Sequence, residues 1–193
     1  MKVKQVFITL FIAGMPFAGF SQTLSDAISK KDTVTALQLI KGGANINAVD
    51  ANGTSPLMSA CRWADEAMVG FLLRHGANPG APKSLKGRTP LMIACAYYGG
   101  KGICDMLIAK GADINAAAID GTTALMLAAQ NAKLDVVDLL LKKGAKANTK
   151  DGTGKTALDY VRSAKVDDYL KSSVKDTRID QQGVIDLLLQ AMK

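Results

Sequence analysis

The sequence predicts an all-α solenoid, a stack of about five helix-turn-helix units joined by β-hairpin loops. Two landmarks predict it. A Gly-x-Thr/Ser-Pro/Ala-Leu phrase starts at Gly53, Gly87, Gly121 and Gly154, and its leucines (Leu57, Leu91, Leu125, Leu158) fall 34, 34 and 33 residues apart. A Gly-Ala pair, at Gly43, Gly76, Gly111 and Gly144, recurs at 33, 35 and 33. Two independent landmarks on one period identify a repeat array, in which each unit buries its apolar face only against its neighbours.

The elements follow in chain order. Residues 1–21 read as a secretory signal peptide. Lys2 and Lys4 form a basic start, Val6 to Phe20 is nearly all apolar, and Gly19-Phe20-Ser21 sets small residues for cleavage before Gln22. An uncleaved anchor fits less well, because the run is short for a bilayer and contains Gly14 and Pro16. Residues 22–193 form the repeat domain, with units of about 22–49, 50–82, 83–117, 118–150 and 151–193. The first unit lacks the hairpin and starts near Leu24, with Ala27, Ile28, Leu37, Leu39 and Ile40 inward. In the next four, Ser55, Thr89, Thr123 and Thr156 suit helix N-caps, and Pro56 and Pro90 suit the first helical position. Small pairs follow (Ala60-Cys61, Ala94-Cys95, Ala128-Ala129), which let a short helix lie close to its neighbours. A second apolar-periodic helix comes next, as in Leu134 to Leu141, and the glycine of Gly-Ala ends it. Asp120-Gly121 fits a tight hairpin turn. The third unit has an extra residue near Tyr98-Gly99-Gly100 and a longer loop before it, with Pro79 and Pro82. In the fifth, the second helix spans Val184 to Ala191, after an insertion at 165–182. There Val166, Tyr169 and Leu170 prolong the first helix, and Lys171 to Gln182 forms a polar loop.

With Gly87-Arg88-Thr89-Pro90-Leu91, Ala94, Gly111-Ala112 and Asn115 in place, and their counterparts in the other units, the chain resembles the ankyrin-repeat family. The resemblance covers the whole of 22–193 and implies a non-enzymatic module that binds another protein. One departure recurs. The family places His after the Leu, where it ties adjacent loops together. Here Met58, Met92, Met126 and Asp159 stand instead, so the units are expected to depend more on packing.

Little points to catalysis. The chain has one histidine, His75, at the end of a helix, where the helix dipole favours it. There is no phosphate-binding loop: Gly99-Gly100 and Gly152-Thr153-Gly154 lie in turns. Asp167-Asp168 reads as a solvated pair. No catalytic residue, metal ligand or cofactor is assigned. The three cysteines lack metal or redox spacing. Cys61 and Cys95 hold equivalent places in adjacent units, too far apart for a disulfide; Cys104 could approach Cys95 across one helix pair, a bond disfavoured because facing helices usually keep their Cα atoms further apart. All three are expected to be buried and inert.

The formal charge is +7, of which Lys2 and Lys4 supply two. Export and the absence of any nucleic-acid motif argue against nucleic acid as partner, so the charge implies a preference for an acidic surface. The resemblance places the partner on the concave face, built from hairpin tips and the first helices. There the units differ most, and Arg62, Trp63, Lys86, Arg88, Tyr97, Gln130 and Asn131 are the expected partner-binding residues, because Trp, Tyr and Arg are enriched in binding hot spots. The expected whole is an exported bacterial monomer, periplasmic or secreted, free of the membrane once cleaved, that binds a periplasmic or secreted protein. The alternative is a small molecule or cell-wall glycan stacking on Trp63, Tyr97 and Arg88.

Overall fold

The computed structural model describes residues 23–80, 84, 86–98, 100–164 and 180–193. The expected signal peptide, Pro82, Leu85, Gly99 and 165–179, with Asp167-Asp168, lie outside the described residues.

Among the described residues ten helices run in pairs: α1 Leu24–Ser29 and α2 Thr33–Lys41, α3 Pro56–Arg62 and α4 Glu66–Arg74, α5 Pro90–Ala96 and α6 Lys101–Ala109, α7 Ala124–Gln130 and α8 Leu134–Lys142, α9 Ala157–Ser163 and α10 Gln181–Ala191. Each odd-numbered helix packs on the next odd-numbered one, and α4, α6, α8 and α10 form a second row. The five repeats are therefore one stack, two helices deep.

Local chemistry sets the helix ends. The oxygens of Ser55, Thr89 and Thr123 accept from the backbone N–H of Met58, Met92 and Met126. Thr156 reverses this arrangement, donating N–H and hydroxyl to the Asp159 carboxylate. At the far end, Gly43, Gly76, Gly111 and Gly144 take φ between 90° and 95°, which turns the chain so that the following alanine N–H closes on a helix carbonyl, as Ala77 does on Leu72 at 2.9 Å. Between paired helices the chain reverses through left-handed Lys31, Ala64 and Ala132. Asp32 and Asp65 then cap α2 and α4, each accepting at 3.0 Å.

The core runs the length of the stack. Leu57, Leu91 and Leu125 are buried, and so are the small residues Ala60, Cys61, Ala94, Cys95, Ala128 and Ala129. Met58, Met92 and Met126 are buried too, so packing does replace the polar residue expected there. The loops are tied all the same, by backbone: the Ile119 N–H donates to the Lys86 carbonyl at 3.1 Å, and the Gly152 N–H to Asp120 at 2.8 Å. Two asparagines link other neighbours. Asn47 accepts from the Asn78 N–H and Asn115 from that of Lys146, both at 2.9 Å, and the Asn115 amide also donates to the Gly144 carbonyl at 3.1 Å.

The hairpins are tight turns, and one β-bridge, Ala117 to Thr123, forms among the described residues. Each turn closes on its own Asp or Ser oxygen, so no ladder is needed. One expectation is corrected: the last helix starts at Gln181, not Val184, because Asp180 caps it by accepting from the Gly183 N–H at 2.8 Å. The polar first turn looked like loop, yet only Gln182 is exposed; Gln181 is half-buried and its amide donates to the Val161 carbonyl at 2.7 Å.

The capping carboxylates make the stack acid-sensitive. Asp50, Asp120, Asp151 and Asp159 are all held below the usual carboxylate range by hydrogen bonds from their own turns. Asp151 is held lowest, first by the Lys155 N–H and also by the Tyr160 hydroxyl and Thr153. A depressed native pKa contributes stability that is present above the unfolded value, about 4, and is lost as pH falls through the native value. The melting midpoint followed by circular dichroism should be nearly flat from about pH 7 to 5 and fall steadily below about pH 4. Asp151→Asn should flatten part of that acid limb; an unchanged limb would remove Asp151 from this account.

Candidate partner-binding face

Each first helix ends at an equivalent residue. The C-caps of α1, α3, α5, α7 and α9 are Lys30, Trp63, Tyr97, Asn131 and Ala164. Four helices of one length with one cap at the start must finish at one level, so these positions form a row along the stack. The expected partner-binding residues cluster on it and on the loops beside it.

Trp63 is 61% exposed, although a free indole surface is costly in water. Arg62, at the end of α3, reaches into the next repeat, and its guanidinium carbon lies 4.7 Å from the centre of the Tyr97 ring. That cation–π contact fixes a basic group and an aromatic ring across a repeat boundary. Tyr97 itself is half-buried. Lys86 is exposed on the third loop while its carbonyl holds Ile119. Gln130 is exposed at the end of α7.

Two expected residues sit differently. Arg88 is half-buried rather than open. Its N–H donates to the Ser84 hydroxyl at 3.1 Å, and its Nε is buried with no hydrogen-bond partner among the described residues. The loop closes over its stem, while its charge faces Asp120, whose carboxyl is held low first by Thr122 and in part by Arg88. Asn131 is exposed, but its amide turns back to donate to the Leu127 carbonyl at 2.7 Å. One of its two amide N–H groups caps α7, and the other N–H and the oxygen remain for a partner. Of the three residues of the glycan alternative, then, Trp63 is open, Tyr97 has one ring face covered by Arg62, and Arg88 is half-buried.

Three residues outside the expected binding set also bear on the face, two on it and Lys133 behind it. Tyr98 and Ile119 are each 79% exposed. Tyr98 belongs to the extra residue of the third repeat; a residue added between two fixed helices has no place in the packing and turns out. Ile119 caps a loop tip. Lys133 stands where Asp32 and Asp65 cap the second helices. It reaches back one repeat instead, and its ammonium donates to the carbonyls of Ala94, at 3.2 Å, and Tyr97. These are carbonyls at the C-terminal end of α5, beyond reach of its own helical N–H groups, so Lys133 both caps that helix and fixes Tyr97.

Elsewhere the chemistry is quiet. His75 is the C-cap of α4, its ring 4.5 Å from that of Phe71. Among the described residues no group of three or more His, Cys, Asp or Glu is placed to hold a metal ion, and no helix is long and apolar enough to cross a membrane. The three cysteines are buried and unbridged.

A family model described as ankyrin repeats (3 copies) matches residues 24–118 and 98–171. The chain is 33% identical over 156 residues to neurogenic locus notch homolog protein 1 of Xenopus tropicalis, covering 80% of the chain and 6% of that protein. It is 38% identical over 103 residues to glycerophosphocholine phosphodiesterase gde1 of Schizosaccharomyces pombe, covering 53% of the chain and 9% of that protein. It is 39% identical over 72 residues to the 2-5A-dependent ribonuclease of Homo sapiens, covering 37% of the chain and 10% of that protein. The chain thus spans 10% or less of each of these relatives.

Proposed function

The chain belongs to the ankyrin-repeat family, whose repeats bind other proteins, and from that premise we propose that it is a non-catalytic binding module whose partner docks on the row of first-helix ends. The observation that carries the reading is Trp63, open to solvent beside the Arg62–Tyr97 contact. A rigid surface that already holds an aromatic and a basic group in place loses little entropy on binding. Tyr98, Ile119 and Lys86 extend the same surface. The excess of Lys and Arg favours a partner with an acidic patch. We place the protein outside the cytoplasm of a bacterium, on the signal-like residues 1–21, and take the partner to be a periplasmic or secreted protein met by a monomer.

The test is affinity capture from an envelope extract, with the full chain beside Trp63→Ala. Trp63 is exposed, so the variant should keep the circular dichroism of the parent. It is expected to lose about tenfold or more in affinity for the captured protein, as truncation of a central hot-spot residue does. Equal capture by parent and variant would overturn the placement on this row. A response of Trp63 fluorescence to cell-wall fragments, with no protein captured, would favour the glycan reading instead.

A further inference from the structure

The second and third repeats bury three thiols, and none has a part in the partner-binding face. Cys95, near the end of α5, and Cys104, in the first half of α6, bring their sulfurs to 3.9 Å across one helix pair. A disulfide needs about 2.05 Å. Bond formation requires the two side chains to turn and the helices to draw together over the remaining gap. Cys61 lies on α3, in the adjacent repeat.

We propose that Cys95 and Cys104 are a disulfide-forming pair, a modification site that staples the third repeat when the chain meets a dithiol-oxidising agent such as glutathione disulfide. Three further features support it. The chain between the two cysteines holds Gly100, where an added Cβ would meet nothing within 4 Å, so the turn has room to tighten. Gly100 also starts α6 without a side-chain cap, whereas Asp32 and Asp65 cap α2 and α4. The first turn of α6 therefore lacks the side-chain cap that holds α2 and α4, and Cys104 follows directly after it. Finally, the hydrogen bond with Cys95 holds the Cys104 thiol below the usual cysteine range, with the Lys133 ammonium acting in the same direction. That bond and burial push Cys95 up, and burial pushes Cys61 up. Cys104 is thus the attacking sulfur.

The exchange balances. The Cys104 thiolate attacks one sulfur of glutathione disulfide, forming a mixed disulfide and releasing one glutathione thiolate. Cys95, deprotonated in turn, attacks the Cys104 sulfur and releases the second. The two protein thiols give up two electrons, glutathione disulfide takes them, and the two protons end on the released glutathione thiolates.

The test equilibrates the full chain in glutathione buffers of graded ratio, followed by acid quench, alkylation and tryptic mapping. Trypsin cuts after Lys101, so the bond appears as two linked peptides, one with Cys95 and one with Cys104. The linked pair is expected to accumulate as the disulfide fraction rises, unchanged in Cys61→Ala and absent in Cys104→Ala. The oxidised chain should melt about 5 °C higher than the reduced one, because the bond constrains the unfolded chain. Links to Cys61, links between chains, or full alkylation of Cys95 and Cys104 at every ratio would each overturn the proposal. The map of the parent chain decides the matter even if a variant fails to fold.

Discussion

Gly121→Ala is expected to lower the free energy of unfolding by about 3 kcal/mol, and Gly154→Ala by about 1 kcal/mol. Both glycines open the repeating phrase and both have positive φ, 79° and 84°. An alanine pays the same left-handed strain at either place. Only Gly121 has a neighbour in the way. A Cβ there would lie 2.7 Å from the Gly152 nitrogen and 2.9 Å from the Asp151 Cα, both main-chain atoms that cannot swing aside. The same Gly152 N–H donates to Asp120, so relief of the clash breaks the bond that ties the fourth loop to the fifth. At Gly154 an added Cβ meets nothing within 4 Å. Urea denaturation of the two variants separates strain from close approach. Equal losses would mean that the loops do not touch in solution as they do here.

Lys133→Met should destabilise the chain by about 2 kcal/mol, the range for a hydrogen bond to a charged donor whose acceptors are left unpaired. Methionine keeps the length and most of the volume of the stem, so packing is little changed. The carbonyls of Ala94 and Tyr97 then face a partly buried site without their donor. Tyr97 should loosen with them, and the Arg62 contact with it. The variant is therefore expected to bind partner more weakly although Lys133 is not on the exposed face. A loss of stability below about 0.5 kcal/mol would show that water replaces the ammonium there.

The framework was legible because each of its signals is local. A Ser or Thr two residues before a Leu caps its own helix, and a Gly before Ala ends one, so period and register follow from counting. What was missed depends on a second repeat. Lys133 reads as a surface lysine until α5 is set beside it. Arg88 reads as a loop tip until the Ser84 turn closes over its stem. Asn131 reads as an open amide, yet the carbonyl of Leu127 is nearer than any partner. Tyr98 was the exception, since an extra residue between two capped helices already says that something must turn outward. The Gln181 start was hidden by polar composition, because Gln181 is turned in by the Val161 carbonyl of the neighbouring helix and not by apolar packing.

The ties between repeats share one property. Asn47 to Asn78, Lys86 to Ile119, Ala94 to Lys133, Asn115 to Lys146 and Asp120 to Gly152 all join adjacent repeats, and each helix packs within its own repeat or the next. Among the described residues no strand returns across the stack to close a sheet. The contact order is therefore set by the length of one repeat and not by the length of the chain. Duplicating or deleting an internal unit would leave every remaining closure as short as before, so the fold can lengthen or shorten by whole repeats without a new topology to search.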